Sequence, residues 1–169
     1  MKLTMEGWWT VLHGFVLGLV FLLAFAGALM ALGTLRHEWT PPEFARVLRR
    51  LKIRVWAMAV SAWLMVITGT YVSYPWYRAS SPASPKSKLL AVHDLAALHT
   101  FAMEWKEHVA WAAPILATAL GFIVTYYSAE LATRNDLRRA AMVLLVLSFV
   151  ASVIGGVLGF LIYKAVPVL

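Results

Sequence analysis

The sequence predicts an all-α, polytopic membrane protein: a four-transmembrane-helix bundle with an amphipathic outer segment ahead of the third helix. Three observations carry this. Hydrophobic residues make up 62% of the 169-residue chain and charged residues 14%, more apolar surface than a water-facing domain can hide. Four runs free of charged side chains, residues 8–35, 55–77, 109–129 and 140–163, each reach the roughly 20 residues a helix needs to cross hydrocarbon. The net charge of +7 comes from basic residues gathered in short connections beside those runs, as membrane topology requires, and no nucleic-acid partner is expected.

Residues 1–169 form one transmembrane domain. In lipid a spanning backbone must close its hydrogen bonds internally, so each run is expected to be helical. Within the first, Ala24-Phe25-Ala26 has the small-residue pattern of a cleavage site, but the apolar run continues well past it and is read as a span. After it, Thr40 can cap a short basic helix with Pro41 in its first turn, suited to anionic headgroups.

Arg36, Arg46, Arg49, Arg50, Lys52 and Arg54 lie between runs one and two, and Arg134, Arg138 and Arg139 between runs three and four, so nine of fifteen basic residues share one side. Lys2, Arg78, Lys86, Lys88, Lys106 and Lys164 take the other. The positive-inside tendency makes the richer side cytoplasmic and turns both termini outward, the periplasmic side in the bacterial inner membrane expected for this chain. Trp8, Trp9, Tyr74, Trp76, Tyr77, Trp105, Trp111 and Tyr163 then fall at the outer boundary as an aromatic belt.

The outer loop, residues 78–107, divides in two. Residues 79–88, rich in Ser, Pro and Lys, are expected to be irregular. From Leu89, one helical stripe runs through Val92, Leu95, His99, Ala102 and Lys106, and a neighbouring one through Leu90, Ala97, Phe101, Glu104 and His108. An amphipathic helix on the surface or an upward extension of run three would both satisfy it. Pro114 is expected to kink run three near Ala110. Gly155 with Gly159, and Ser152 with Gly156, give the small-residue spacing of close helix packing in run four.

No cysteine is present, which excludes disulfides, thiolate metal sites, iron–sulfur clusters and covalent c-type haem. Phosphate-loop, zinc-protease and nucleophile-elbow motifs are also missing, so hydrolytic and nucleotide chemistry lack support. The histidines remain. His13 lies 23 positions before Arg36 and His108 lies 22 before Glu130, on runs that cross in the same direction. At about 1.5 Å per residue the two imidazoles reach nearly the same depth, the arrangement that bis-imidazole ligation of one haem requires. Gly14 and Gly18 beside His13 would leave room for a macrocycle or for a close helix contact. His99, nine residues before His108, is the rival ligand and fits only if the outer segment folds back.

With His13-Gly14 and His108 in a four-span chain, the sequence resembles the four-helix b-type cytochromes that anchor bacterial respiratory enzymes. The likeness covers general architecture and those features. It implies a single haem b, since runs two and four contain no histidine, and electron transfer between membrane quinol and a partner protein in a larger complex. Such a chain is an electron-transfer subunit of an oxidoreductase more than an enzyme in its own right.

Other residues bear on the same region. Glu104 and Glu107 could orient an imidazole or pass protons at a quinol pocket, or simply solvate a helix start. Arg78, after Tyr74-Pro75-Trp76-Tyr77, could pair with a haem propionate or a quinone carbonyl, or close an interfacial anchor. A copper or zinc site from His93, His99, Glu104 and His108 would follow no established spacing. Each histidine also has the plainer alternative of bonding a headgroup, water or a neighbouring carbonyl. The competing function is a cofactor-free accessory or scaffold subunit of a respiratory or photosynthetic complex.

Overall fold

Helices are the only long elements open to this composition in lipid, and among the described residues there is no strand. The computed structural model describes residues 4–35 and 40–166. Lys2 and Arg36, counted in the charge balance, lie outside the described residues. Helix α1 covers residues 5–34, α2 Pro41–Tyr77, α3 the short Pro85–Leu90, α4 His93–Tyr126 and α5 Asn135–Ala165. Apart from α3, each is long and apolar enough to cross a membrane, so the chain is a multi-pass membrane protein. Leu19, Leu23, Ile67, Ile115, Phe122 and Val157 are exposed along the spans, which is where lipid contact replaces a core.

Several local expectations hold and several shift. The basic segment after Thr40 is not a separate helix but the start of α2, opened by Glu43, whose carboxylate accepts from the Thr40 backbone N–H (3.2 Å) and hydroxyl (2.7 Å). Part of the Ser/Pro/Lys stretch is helical: Ser84 caps α3 by accepting the Ser87 N–H at 3.2 Å. The stripe-bearing segment is an extension of the third span rather than a surface helix, since helical turns lead from His93 into α4. That span breaks at Ala110 and Trp111, between helices Glu104–Val109 and Ala112–Tyr126, where Pro114 denies Ala110 its backbone donor.

The spans pack in a ring, α1 on α2, α2 on α4 and α4 on α5, with a weaker seam between α5 and α1. One end carries Arg78 and both ends of the described chain; the other carries Arg134. Toward the Arg134 end the seam is shut: Phe25 and Phe149 stack with centroids 4.0 Å apart, and Arg138 donates to the Leu35 carbonyl at 3.0 Å. The main core, including Leu32, Leu51, Met58, Leu120 and Leu145, fills this half. A smaller cluster of Tyr77, Leu89, Ala102, Met103, Ile162 and Val166 closes the Arg78 end. Between the two clusters the bundle is hollow.

Candidate functional site

The hollow is a cavity of about 850 Å³, within the roughly 300–1,000 Å³ typical of ligand sites. Exposed residues of both α1 (Gly14, Phe15, Leu22) and α5 (Val153, Val157, Phe160) line it, so it opens sideways through the seam toward lipid. Glycines keep it open. A Cβ placed on Gly14, Gly18, Gly155 or Gly156 would meet nothing within 4 Å. Gly155 and Gly156, expected to draw helices together, instead leave space on the α5 side.

Three stretches of π-helix break the regular spans, at Val11–Val16, Gly69–Ser73 and Leu98–Met103. Each contributes to the cavity wall, through His13 and Phe15, Gly69 and Ser73, and Met103 respectively. A wide turn costs hydrogen-bond quality and re-aims side chains, and such turns gather at functional sites.

His13 is the cavity's imidazole. Its Nδ1 lies 2.9 Å from the Thr68 hydroxyl, and that hydroxyl donates its one proton to the Leu64 carbonyl at 2.7 Å. Thr68 therefore accepts, Nδ1 carries the proton, and Nε2 is left with a lone pair. No side-chain hydrogen bond to Nε2 is formed among the described residues, and the ring is also within hydrogen-bonding reach of the Met65 backbone. Gly69 lets the ring approach α2 edge-on: a Cβ there would stand 3.2 Å from His13 Cε1 and 3.9 Å from each ring nitrogen.

His108 is placed elsewhere. It is exposed, absent from the cavity wall, and its Nδ1 is 2.7 Å from the carbonyl of Glu104 on its own helix. The depth matching of His13 and His108 does not bring the two rings face to face, because depth fixes level along a helix and leaves its rotation free. The neighbours of His108 take the inward side: Lys106 and Glu107 line the cavity. His99 is buried behind Tyr77, its Nδ1 3.0 Å from the Tyr77 hydroxyl, and is likewise not part of the wall. Tyr77, expected in the aromatic belt, is only 3% exposed and does line the cavity.

Arg78 binds Glu104, and its Nη2 lies 3.0 Å from Glu107 Oε2; its guanidinium also sits 4.9 Å above the Tyr74 ring. Burial opposes the Arg78 charge, but the bonds to the two carboxylates outweigh it and raise its pKa. Arg78, Glu104 and Glu107 thus form a tie between the end of α2 and α4. Among the described residues no group of three or more His, Asp or Glu forms a metal-ligand set, so the copper or zinc alternative finds no cluster.

Two polar groups that the sequence reading passed over meet the cavity. Lys106 lays its side chain across α5, its amino nitrogen 3.2 Å from where a Gly159 Cβ would be, and forms no hydrogen bond or ion pair among the described residues. Ser152 Oγ is buried without a partner among them. A signal for Lys106 was present in the stripe it shares with His99 and Ala102, both buried.

Taken together, fold and site define a four-span membrane protein with a laterally open, single-imidazole cavity. No protein-family model matches the chain, and no curated protein or solved structure matches it either.

Proposed function

We propose that this chain is a membrane electron-transfer subunit that binds one b-type haem in the lateral cavity, with His13 as the iron ligand. One observation carries the reading: an imidazole with Nδ1–H held by Thr68 and no side-chain partner at Nε2, in an apolar, glycine-opened space. A ligating histidine ordinarily has its other nitrogen fixed this way, which sets tautomer and ring orientation. The donor set fits the group: one imidazole, and a cradle that a Cβ at Gly14, Gly18, Gly155 or Gly156 would begin to fill. Bound haem would supply a one-electron couple.

The chain's residues do the rest. Thr68 and Gly69 hold the imidazole, Trp76 and Trp111 add apolar wall, and the two hydrophobic clusters keep water from either end. The α1–α5 seam is the side from which a lipid-soluble quinol could approach. By the charge balance, the Arg134 end faces the cytoplasm of a bacterial inner membrane, and the Arg78 end meets a periplasmic partner within a larger complex. His108 has no part in ligation.

The test is an optical spectrum of the purified protein, with haemin added where needed. A reduced-minus-oxidised Soret and α-band pair, present in the wild type and lost in His13→Ala, supports the proposal. A folded wild type that stays colourless with added haemin overturns it and leaves the cofactor-free scaffold.

A further inference from the structure

We infer that Lys106 supplies the second axial ligand, through its neutral amino nitrogen, to the metal centre that His13 holds. This rests on the haem reading and identifies its missing partner. A bis-histidine site needs a second imidazole in the cavity, and neither His99 nor His108 lines it. Among the described wall residues, Lys106 is the one that offers an uncommitted nitrogen base besides His13. The Glu107 carboxylate is bound by Arg78, and Met103 is packed into the cluster with Tyr77 and Leu89.

Placement agrees. In the ring of spans, α1 packs on α2 and α5, and so does α4, which puts α1 and α4 on opposite walls. His13 and Lys106 therefore approach the cavity from opposite sides. The matched depth noted for His108 serves its neighbour: Lys106 stands two residues away in sequence, about 3 Å along a helix axis. The stem of Lys106 lies against Gly159, and any side chain at that position would take its path. A half-buried lysine amine that faces an apolar cavity with no ion pair is costly to keep in a membrane span unless it serves a bound group. When neutral, it presents one lone pair, which a flexible four-carbon stem can aim.

The experiment compares the haemin complexes of wild type, Lys106→Arg and Lys106→Leu by electronic absorption and electron paramagnetic resonance. The expected wild-type signal is low-spin and six-coordinate, with ligand-field parameters of an imidazole–amine pair. Both variants should keep haem and turn high-spin. Arginine preserves the positive charge but has no lone pair to offer, so a purely electrostatic role for Lys106 would leave the Arg variant low-spin and overturn the inference. Low-spin haem in both variants, or high-spin haem in the wild type, also overturns it while leaving His13 ligation standing. A wild type that takes up no haem overturns both. If Lys106→Leu fails to fold, the Arg variant alone decides.

Discussion

Nδ1 of His13 lies 2.9 Å from the hydroxyl of Thr68, which is already donating to its own helix at Leu64. That one relationship fixes which ring nitrogen is free. A Thr68→Val variant keeps shape but removes the acceptor, and the ring loses both tautomer and orientation. Loss of such an outer partner typically costs about 10–100-fold in metal-ligand affinity. Haemin titration of Thr68→Val should show a weakening of that order, with the helical content of the variant unchanged by circular dichroism.

The two histidines matched in depth should behave oppositely. His13→Ala removes the cavity's imidazole and should abolish the haem spectrum. His108 is exposed and bonded to the Glu104 carbonyl, so His108→Ala should retain the spectrum and alter stability by no more than about 0.5 kcal/mol. Equal loss in both variants would mean that α4 turns in the membrane to bring His108 inward, and would defeat the assignment of Lys106.

The cavity glycines separate folding from binding. Nothing lies within 4 Å of a Cβ at Gly14 or Gly155, so alanine at either should fold and gain about 0.5–1 kcal/mol of helix stability. A larger side chain at Gly155 should fold too, since the space is there, yet deny it to a ligand. Overpacking costs about 1–3 kcal/mol, so Gly155→Leu should weaken haemin binding by about ten- to hundred-fold. Gly27 is the control: a Cβ there would run into the Arg54 side chain, which donates to the Gly27 carbonyl at 2.8 Å. Gly27→Ala should lower thermal stability without regard to ligand.

The four spans were legible because lipid leaves a backbone one regular solution, and twenty charge-free residues are hard to mistake. The helix start at Thr40 and the break below Pro114 were legible for the same reason: each is decided by residues within a turn. Rotation about a helix axis was not. His108 and Lys106 differ by two positions, or about 200° of arc, and sit on two neighbouring stripes; packing, through buried His99 and Ala102, decides that the Lys106 stripe faces inward. The small residues of α5 misled similarly, since spacing alone cannot distinguish glycines that admit a neighbouring helix from glycines that leave a cavity. The π-helical turns at Val11–Val16 and Gly69–Ser73, which carry His13 and its seat on Gly69, leave no pattern in composition.

Arg78 is where the end of α2 is fastened to α4, because one guanidinium binds both Glu104 and Glu107. Those carboxylates are three residues apart on one helix face, and repel when the cation is removed. Arg78→Gln should therefore lower the unfolding temperature by more than the loss of a median exposed ion pair would, because it strands the partly buried Glu107 carboxylate. Arg78→Lys restores charge but cannot present a planar fork to two carboxylates, so it should recover only part of that loss. Thermal unfolding in detergent, compared across the two variants, checks the order. Since Glu107 also lines the cavity, the Gln variant should change haemin affinity as well, and the Lys variant less. Equal stability of Arg78→Gln and wild type would mean that the tie contributes nothing and that the cluster of Tyr77, Met103 and Ile162 alone closes this end of the bundle.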